Sequence, residues 1–457
     1  MSSSTTTSWP TPNGVAALLD DVLHADAAHP RPALSYLRRK PGRGLVAVYG
    51  TGIEDMYTVT VDEATAAGQA SSGAVAADPD SPQEEGVVRI GSRGMTIQRF
   101  PHDDRLPALA AAIHPTKGEA LWTALAAVAG AQSGQDGFDL ESVVASPVRY
   151  KPGDRCVIRY HLAGRGASGT LVSFSVIGKV YRTLDQARAA SALSERLWSL
   201  QGPQPWTAQP LGVVDPLPLV LTEDLGSALD TPAAVAGTQV VRMGRDQPSS
   251  DLAAAATALA DLHLSAAAHT DTPERTGAQE AVKAAARSAS ISAYVPELAG
   301  EATAAAQALR AAFEASAVDG LRPAHGSFKP SQLLYRAGLV FLVDFDQFCL
   351  ADPALDLGYF LAYLRPPGLW YHRSGTRTWF DAAAASFLAA YGVAARARGM
   401  RDEELEGVLR RCHVYEAALL LKIAARRPNR LHSPRPGEVR SLLEEVIACL
   451  VASEETA

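Results

Sequence analysis

Residues 34–100 show the alternation of apolar and polar positions that is typical of β-strands. Runs rich in Val, Tyr and Thr are separated by Gly, Pro and Asp, as in GLVAVYG, MYTVTVD, GVVRIGS and GMTIQRF. We predict a strand for each run. The small-residue and acidic stretch over 64–86 is predicted to be a loop. PALAAAIHP and EALWTALAAVAGA then have helical character, so residues 1–145 predict an α+β, cap-like N-terminal domain.

A second strand-rich region follows and gives way to helices. SPVRYKPG, RCVIRYHLAG and TLVSFSVIGKVY predict three strands, TLDQARAASALSERLWSL a helix, and PLVLTEDLGS a strand that runs into a polar bend. After residue 231 the pattern is helical except around LLYRAGLVFLVDF, which predicts two short strands about a turn at 336–338. The sequence therefore predicts a β-rich domain over 146–226 and a helical domain over 227–457.

The two strand-rich regions also resemble each other. RRKPGRGLVAVY, from Arg38, is similar to RYKPGDRCVIRY, from Arg149. Either Pro-Gly turns between strands look alike, or the N-terminal domain contains a degenerate copy of the following hairpins. In the second case Met56 stands near the place that Lys179 has in the later copy.

Composition and charge exclude several classes of protein. The 457 residues are 47% hydrophobic and 20% charged, which is typical of a globular protein. A net charge of −7 argues against a general nucleic-acid or anionic-membrane binder. The four cysteines have no CxxC spacing, the N-terminal sequence lacks the features of a signal peptide, and no apolar run has the length of a membrane span. We therefore expect a soluble, cytoplasmic protein with reduced thiols.

Several residues match the needs of phosphoryl transfer in chain order. Such a site needs a lysine for the nucleotide phosphates, a carboxylate that holds the lysine, and oxygen ligands for Mg²⁺. Lys179 lies in the apolar strand SFSVIGKVY, where an unpaired ammonium is costly, or else on the solvated face of an edge strand. Glu195, on the next helix, is its expected partner. The backbone over Glu223, Asp224 and Leu225 is the expected adenine-binding hinge.

The segments HGSFKPSQLL and VDFD supply the remaining groups. Asp344 ends an apolar strand and is the expected metal ligand, with Gln332 supplying an amide oxygen. Lys329 is expected to meet the transferred phosphate, whereas His325 is expected to be a buried scaffold residue. GRGASG matches GxGxxG but is interpreted as a strand turn, and KPGDR is the alternative loop for phosphate contact.

These segments together resemble the aminoglycoside phosphotransferase and choline kinase-like superfamily, including maltokinase-like members. HGSFKPSQLL, VDFDQF and ADPALDLGYFLAYL carry the resemblance, LTEDLGS, ALADLHLS and FPHDDRLPALAAAI are consistent with it, and HGSFKPSQ is similar to the protein-kinase loop HRDLKPEN. The resemblance implies a bilobal α+β kinase-like fold, with an antiparallel β N-lobe and a mainly α C-lobe, that binds ATP and Mg²⁺ between the lobes. Asp352 and Asp356 match family aspartates with a structural role.

One position departs from the family pattern. Ser327 stands where the superfamily has its catalytic aspartate. A serine hydroxyl does not accept a proton near neutral pH, so general-base assistance of about 10²–10⁴-fold is lost there. Either Asp346 supplies a substitute carboxylate, or the substrate carries its own base. The alternative is a pseudokinase that binds nucleotide and serves a protein partner as a scaffold or regulator.

The acceptor is left open by the sequence. The resemblance implies that C-terminal helices line the acceptor site, and candidate side chains there are Tyr363, Arg365, Trp370, Tyr371, His372, Trp379 and Glu416. The aromatic residues either stack on a sugar or pack the domain. Sugars, amino alcohols, antibiotics and peptide Ser/Thr all remain as acceptors.

Overall fold

The computed structural model describes most of the chain. The described residues are 34–40, 44–50, 52, 56–61, 86–90, 94–133, 138–166, 168–202, 204–226, 250–316, 318, 320–336, 339–366, 369, 374–429 and 436–455. Nearly all of the predicted loop over 64–86, the polar N-terminal segment, and the acceptor candidates Trp370, Tyr371 and His372 lie outside them. The chain forms two compact units. The first comprises 1–189, 211–222 and 429–433, and the second comprises 190–210, 223–428 and 434–457. The predicted domain boundaries at 145 and 226 stay predictions.

An antiparallel five-stranded sheet opens the first unit. Its strands are β1 Leu34–Lys40, β2 Gly44–Tyr49, β3 Tyr57–Val61, β4 Val87–Ile90 and β5 Met95–Arg99, in the order β1-β2-β3-β5-β4. Leu37, Ala47, Val59 and Ile97 pack together in its core. Each of the four apolar runs in the sequence became a strand, because alternate side chains of a strand share one face.

A second five-stranded sheet contains four predicted strands and one, Pro210–Val213, that the sequence did not predict. Its strands are β6 Asp139–Lys151, β7 Arg155–Arg165, β8 Leu171–Val180, β9 Pro210–Val213 and β10 Leu219–Glu223, in the order β6-β7-β8-β10-β9. Helices α1 Leu109–Ile113 and α2 Ala120–Ser133 belong to the same unit. The buried hydroxyl of Tyr160, on β7, donates to the carbonyl of Ala112 at 2.8 Å, which ties α1 to this sheet. Helix α3, Leu184–Ser199, follows β8.

Seven helices make up most of the described second unit. They are α4 Ser250–His263, α5 Gly277–Tyr294, α6 Ala299–Ala315, α7 Ala354–Leu364, α8 Thr376–Ala397, α9 Asp402–Arg426 and α10 Pro436–Glu455. Helix α7 is buried along nearly its whole length, so it forms the centre of the unit. A Cβ at Gly358 would come 2.5 Å from the backbone nitrogen of Glu416, so glycine permits the close approach of α7 and α9.

Short strands position two loops of the second unit. They are β11 Glu274–Arg275, β12 Arg322–Ala324, β13 Leu333–Arg336, β14 Leu339–Leu342 and β15 Cys349–Ala351. Strands β11, β15 and β12 form one small sheet, and β13 pairs with β14 as an antiparallel hairpin, as the sequence predicted. One loop, residues 325–332, joins β12 to β13, and the other, residues 343–348, joins β14 to β15. These loops hold the predicted catalytic and metal-binding residues.

Candidate functional site

The loop over 325–332 is anchored by a buried polar scaffold. The backbone nitrogen of His325 donates to Oδ2 of Asp356 at 2.6 Å, and Nε2 of His263 lies 3.3 Å from the same oxygen. The buried ring of His325 places its Nε2 3.1 Å from the carbonyl of Val343. Burial lowers the pKa of His325, so the neutral imidazole donates to that carbonyl. His325 therefore joins the two loops and has the geometry of a scaffold residue.

Gly326 makes the turn that presents Ser327. Its φ is +72°, and a Cβ there would lie 2.0 Å from the carbonyl oxygen of Gln347. No other residue type fits this position without a backbone shift. The carbonyl of Gly326 accepts a hydrogen bond from Nη1 of Arg275 at 2.6 Å. The turn is thus held by the second loop and by β11.

Ser327, Gln332 and Asp344 come together at the junction of the two loops. Nε2 of Gln332 donates to Oγ of Ser327 at 3.1 Å and to Oδ2 of Asp344 at 3.3 Å. Among the described non-glycine residues, Asp344 alone has a positive φ, of 71°. This left-handed conformation costs about 1–2 kcal/mol. Such strain is found where surrounding structure must fix a functional side chain.

Lys329 and Asp346 lie on the same two loops. Nζ of Lys329 is 5.7 Å from the ring centroid of Tyr363, on α7. Asp346 is exposed, two residues beyond Asp344. The ring of Phe345 between them packs on His325, with centroids 4.8 Å apart. The second unit therefore gathers a hydroxyl, an amide, two carboxylates and an ammonium on adjoining loops.

The residues predicted to bind nucleotide phosphates lie on β8 and α3. Lys179 is half-buried, pairs in register with Val157 of β7, and has Nζ 5.2 Å from the ring centroid of Tyr181. Glu195 is exposed on α3 and accepts from the hydroxyl of Ser191 at 3.0 Å. Lys179 belongs to the first unit and Glu195 to the second. Their pairing stays a prediction.

The predicted hinge is a well-fixed bend after β10. The side chain of Glu223 accepts from the backbone nitrogen of Gln209 at 3.0 Å and lies 3.3 Å from Nη2 of Arg336. Asp224 is buried and accepts from the backbone nitrogen of Gly226 at 2.8 Å, and Leu225 is buried. The backbone nitrogen of Glu223 donates to the carbonyl of Gln209 at 2.9 Å. An adenine contact at the hinge therefore has to use other backbone groups.

Asp103 fixes the KPGDR turn, a role that sequence reasoning did not assign. Its Oδ2 accepts from the hydroxyl of Tyr150 and from the backbone nitrogen of Gly153, each at 2.7 Å. Nε of Arg182 donates to the carbonyl of Gly153 at 2.8 Å, and its Nη2 lies 3.1 Å from Asp154. The segment FPHDD was noted for its resemblance to the family. The groups that Asp103 binds lie about 50 residues farther along the chain, so the sequence did not connect them.

Two acceptor candidates are used in packing instead. Nε of Arg365 donates to Oε1 of Glu416 at 2.7 Å, and both side chains are almost fully buried. Arg365 also pairs with Glu445 of α10, which in turn pairs with Arg377. This ion-pair group joins α7, α9 and α10, so Arg365 and Glu416 stabilise the helical unit. The sequence alone did not separate this use from substrate contact.

The donor groups around Asp344 fit a magnesium ion that is carried with nucleotide phosphates. Mg²⁺ takes oxygen ligands, usually one or two from protein, and fills its octahedron with phosphate and water. Asp344 supplies a carboxylate, and Oε1 of Gln332 is buried without a hydrogen-bond partner. Within the described part of the chain, no three His, Cys, Asp or Glu side chains form a metal cluster. One carboxylate and one amide oxygen therefore suit an ion that takes its other ligands from phosphate and water.

A mixed α+β fold with two carboxylates and an ammonium gathered on adjoining loops has the features of the kinase-like phosphotransferase class. The profile of the phosphotransferase enzyme family, APH, matches residues 206–452, which is more than half of the chain. The chain belongs to this family, and the predicted kinase-like α+β fold is confirmed. Among the helices that the structure describes, none combines the length and the apolar character that a membrane crossing needs.

Several solved structures are similar to the chain at low identity. A glucosamine kinase is 18% identical, covers 94% of this chain and 96% of its own, and has a TM-score of 0.43. An amicoumacin kinase in complex with AMP-PNP, Ca²⁺ and Ami is 14% identical, covers 71% and 92%, and has a TM-score of 0.40. The choline kinase LicA from Streptococcus pneumoniae is 11% identical, covers 73% and 99%, and has a TM-score of 0.39. No curated protein matches the chain significantly.

Proposed function

We propose that the protein is an ATP- and Mg²⁺-dependent phosphotransferase that acts on a hydroxyl group. We also propose that Ser327 occupies the position of the family's catalytic aspartate. The single observation that carries the proposal is the bridge from Gln332 to Ser327 and Asp344, in a chain of the phosphotransferase family. The relationship to maltokinase-like members stays a prediction.

The roles proposed for nucleotide binding follow from the chemistry of each side chain. Asp344 and the amide oxygen of Gln332 would hold Mg²⁺, which neutralises charge on the nucleotide phosphates when it is bound. Lys179, held by Glu195, would contact the phosphates. Backbone groups of the hinge over residues 223–225 would contact adenine. Every one of these roles is a proposal.

The remaining groups would serve the transfer itself. The bond between the γ-phosphorus and the ADP oxygen breaks, a bond from phosphorus to the acceptor oxygen forms, and the acceptor proton leaves. Ser327 would orient the acceptor hydroxyl, Lys329 would stabilise charge on the moving phosphoryl group, and the exposed Asp346 would accept the proton. Because the transition state is loose, positioning and charge neutralisation contribute more than a base does. A serine in place of the aspartate therefore predicts a kinase with a reduced rate of transfer rather than an inactive protein.

Ser327 also favours a second candidate function. A neutral hydroxyl at this position supports a pseudokinase that binds nucleotide and acts as a scaffold or regulatory partner. Both candidates require nucleotide binding that depends on Asp344. They differ in turnover, because only the kinase moves the γ-phosphoryl group to an acceptor.

The test combines thermal unfolding with a transfer assay. We expect AMP-PNP with Mg²⁺ to raise the Tm of the full chain, and Asp344→Asn to remove that rise. A matched control is Asp381→Asn, an exposed aspartate on α8, which should retain it. Transfer of γ-labelled phosphate to any compound in a panel of sugars, amino alcohols, antibiotics and Ser/Thr peptides supports the kinase. Nucleotide binding without transfer supports the pseudokinase, and no Asp344-dependent binding contradicts both.

A further inference from the structure

A group of basic side chains in the second unit lies beside the loop that carries Ser327. We call it the basic cluster, and its members are Arg275 of β11, Lys283 and Arg287 of α5, and Lys422 of α9. These side chains meet around Glu280 and Tyr359. A capping box between Thr276 and Gln279 begins α5 directly after β11, which brings Arg275 and Glu280 together.

Glu280 is the carboxylate at the centre of the basic cluster. Its side chain is 3% exposed. Its Oε1 lies 2.7 Å from Nε of Arg275 and 2.6 Å from Nζ of Lys283, and its Oε2 lies 3.6 Å from Nη2 of Arg287. Burial alone would raise the pKa of Glu280, but hydrogen bonds and charge from Arg275 and Lys283 lower it to about 2. Glu280 is thus a permanent anion shared by three cations.

Tyr359 continues the cluster toward α9. Its hydroxyl oxygen lies 3.2 Å from Nη2 of Arg275 and 2.5 Å from Nζ of Lys422. Nζ of Lys422 is also 4.8 Å from the ring centroid. Burial lowers the pKa of Lys422 to about 8, with a further contribution from Arg426. In the described part of the chain, the Lys422 ammonium thus has a phenol and no carboxylate as its partner.

The cluster carries more positive than negative charge. Among the described residues, Glu280 is the one carboxylate that pairs with the cluster: it pairs with Arg275, Lys283 and Arg287, whereas Lys422 bonds to the Tyr359 hydroxyl. The Arg365 group in the same unit is balanced, since two arginines there pair with Glu416 and Glu445. Gathering cations away from water without anions is costly. The excess charge is the feature of an oxyanion site rather than of a structural ion pair.

The basic cluster is next to the reacting loop. Nη1 of Arg275 donates to the carbonyl of Gly326, the residue before Ser327. Tyr359 and Tyr363 stand one helical turn apart on α7, with ring centroids 6.4 Å apart, and Nζ of Lys329 lies 5.7 Å from the Tyr363 ring. The side chain of Lys283 is 45% exposed, so the cluster reaches the surface.

We propose that the basic cluster binds a carboxylate or phosphate group of the acceptor, so that the acceptor is an anionic hydroxyl compound. Guanidinium and ammonium groups together suit such oxyanions, because they supply both directed donors and charge. The inference rests on the proposed phosphotransferase function and names the substrate class of that site. It excludes cationic amino alcohols and aminoglycosides as preferred acceptors.

Matched pairs of compounds test the inference. The probes are glucose against glucose 6-phosphate, and glycerol against glycerate and glycerol 3-phosphate, with inorganic phosphate as a free-anion arm. Saturating AMP-PNP and Mg²⁺ are present in the binding measurements, so that phosphate probes do not report on the nucleotide site. We expect the anionic members to raise the Tm more than their neutral partners. In the transfer assay we expect at least a tenfold preference for them in kcat/KM.

Two variants separate ligand binding from a structural role. Lys422→Gln and Lys283→Gln each remove a cation, and Lys117→Gln, exposed on the first unit, is the matched control. If the cations serve a ligand, the two variants weaken binding of the anionic probes about tenfold while the Tm of the free protein stays unchanged or rises. If they serve the fold, the Tm of the free protein falls, and the inference is overturned.

The outcomes are also distinct from those of the proposed function. Equal effects of neutral and anionic probes, or no shift from any anionic probe, overturn the inference and leave AMP-PNP binding intact. A shift from inorganic phosphate alone, with none from the anionic hydroxyl compounds, reduces the cluster to a free-anion site and also overturns it. Loss of nucleotide binding with retained, Lys422-dependent anion binding contradicts the proposed function instead.

Discussion

Nε2 of Gln332 lies 3.3 Å from Oδ2 of Asp344, so the amide nitrogen faces the carboxylate. The other end of the amide, Oε1, is buried without a hydrogen-bond partner. An amide that turns about its last side-chain torsion would present its oxygen to a cation beside Asp344. We propose that this hydrogen bond holds Gln332 and Asp344 together in the absence of the cation.

Gln332→Glu tests this arrangement. The change places two carboxylates in contact without a metal, so we expect the free energy of unfolding to fall by about 1–3 kcal/mol. Mg²⁺ with AMP-PNP should recover the loss, because a second anionic ligand strengthens the site. Thermal unfolding with and without Mg²⁺ measures both effects. The control is Gln307→Glu, exposed on α6, and a variant that Mg²⁺ does not stabilise more than the parent would contradict the assignment.

Ser327→Asp tests whether the acceptor hydroxyl lies beside residue 327. If it does, a carboxylate restores proton acceptance, and kcat should rise by about 10²–10⁴-fold. Ser327→Ala should leave an existing reaction within about tenfold, because the serine is proposed to orient and not to ionise. Initial rates of phosphate transfer decide the point. A Ser327→Asp variant no faster than the parent would mean that the acceptor hydroxyl does not lie beside residue 327, which would contradict the orienting role proposed for Ser327.

Local patterns in the sequence predicted the elements and the loops well. Most strands of both large sheets, the β13–β14 hairpin, and the helices after residue 250 follow from apolar spacing and Gly or Pro breaks. Strands β1 and β9 and the small sheet of β11, β15 and β12 were not predicted. The sequence was also sufficient to predict that Gln332 and Asp344 lie close together. They lie near the outer ends of β13 and β14, and a tight hairpin brings such ends together.

Contacts between distant elements were not predictable in this way. Arg365 and Glu416 are 51 positions apart, and Tyr359 and Lys422 are 63 apart. Each pair meets because α7 and α9 pack closely, and helix periodicity carries no information about which polar side chains will face each other there. The sequence therefore does not distinguish an Arg or Glu that contacts substrate from one that forms an ion pair in the core.

Asp103→Ala tests whether the KPGDR turn depends on the hydrogen bonds that the Asp103 carboxylate accepts. The buried carboxylate accepts from Tyr150, Gly153 and the backbone nitrogen of Arg105, so its removal leaves partly buried donors without partners. We expect a loss of about 2–4 kcal/mol in unfolding free energy. Hydrogen exchange should accelerate at the Gly153 amide. Asp104→Ala is the matched control, because Asp104 is exposed and makes a long 3.7 Å ion pair. An unchanged rate of hydrogen exchange at the Gly153 amide would contradict the role of Asp103 in fixing the turn.

Lys422 predicts a stability change at alkaline pH. Its pKa is lowered to about 8 in the folded protein, mainly by burial, against about 10.4 in an unfolded chain. Between these values the unfolded chain binds more protons, so the stability of the folded protein rises with pH; below pH 8 the cost of the buried ammonium is fully present. The titratable and charged groups that face Lys422 also affect how stability depends on pH. Burial would raise the pKa of Tyr359, but Lys422 and Arg275 lower it, which gives a rise of the same sign, whereas Arg287 and Arg426 stay charged.

The measurement compares the parent with Lys422→Gln. Both proteins share the four buried cysteines, whose pKa values are raised by burial in the folded state, so the cysteine contribution cancels in the difference. We expect Lys422→Gln to be the more stable protein near pH 7 and to lose that advantage, about 1–3 kcal/mol, as the pH rises from 8 to 10.5. Urea unfolding in buffer without phosphate or carboxylate reports the difference. Added glucose 6-phosphate should raise the parent's stability at pH 7 and progressively less above pH 8. A difference that does not vary with pH would mean that the Lys422 ammonium is not desolvated, and the physical basis of the oxyanion site would be lost.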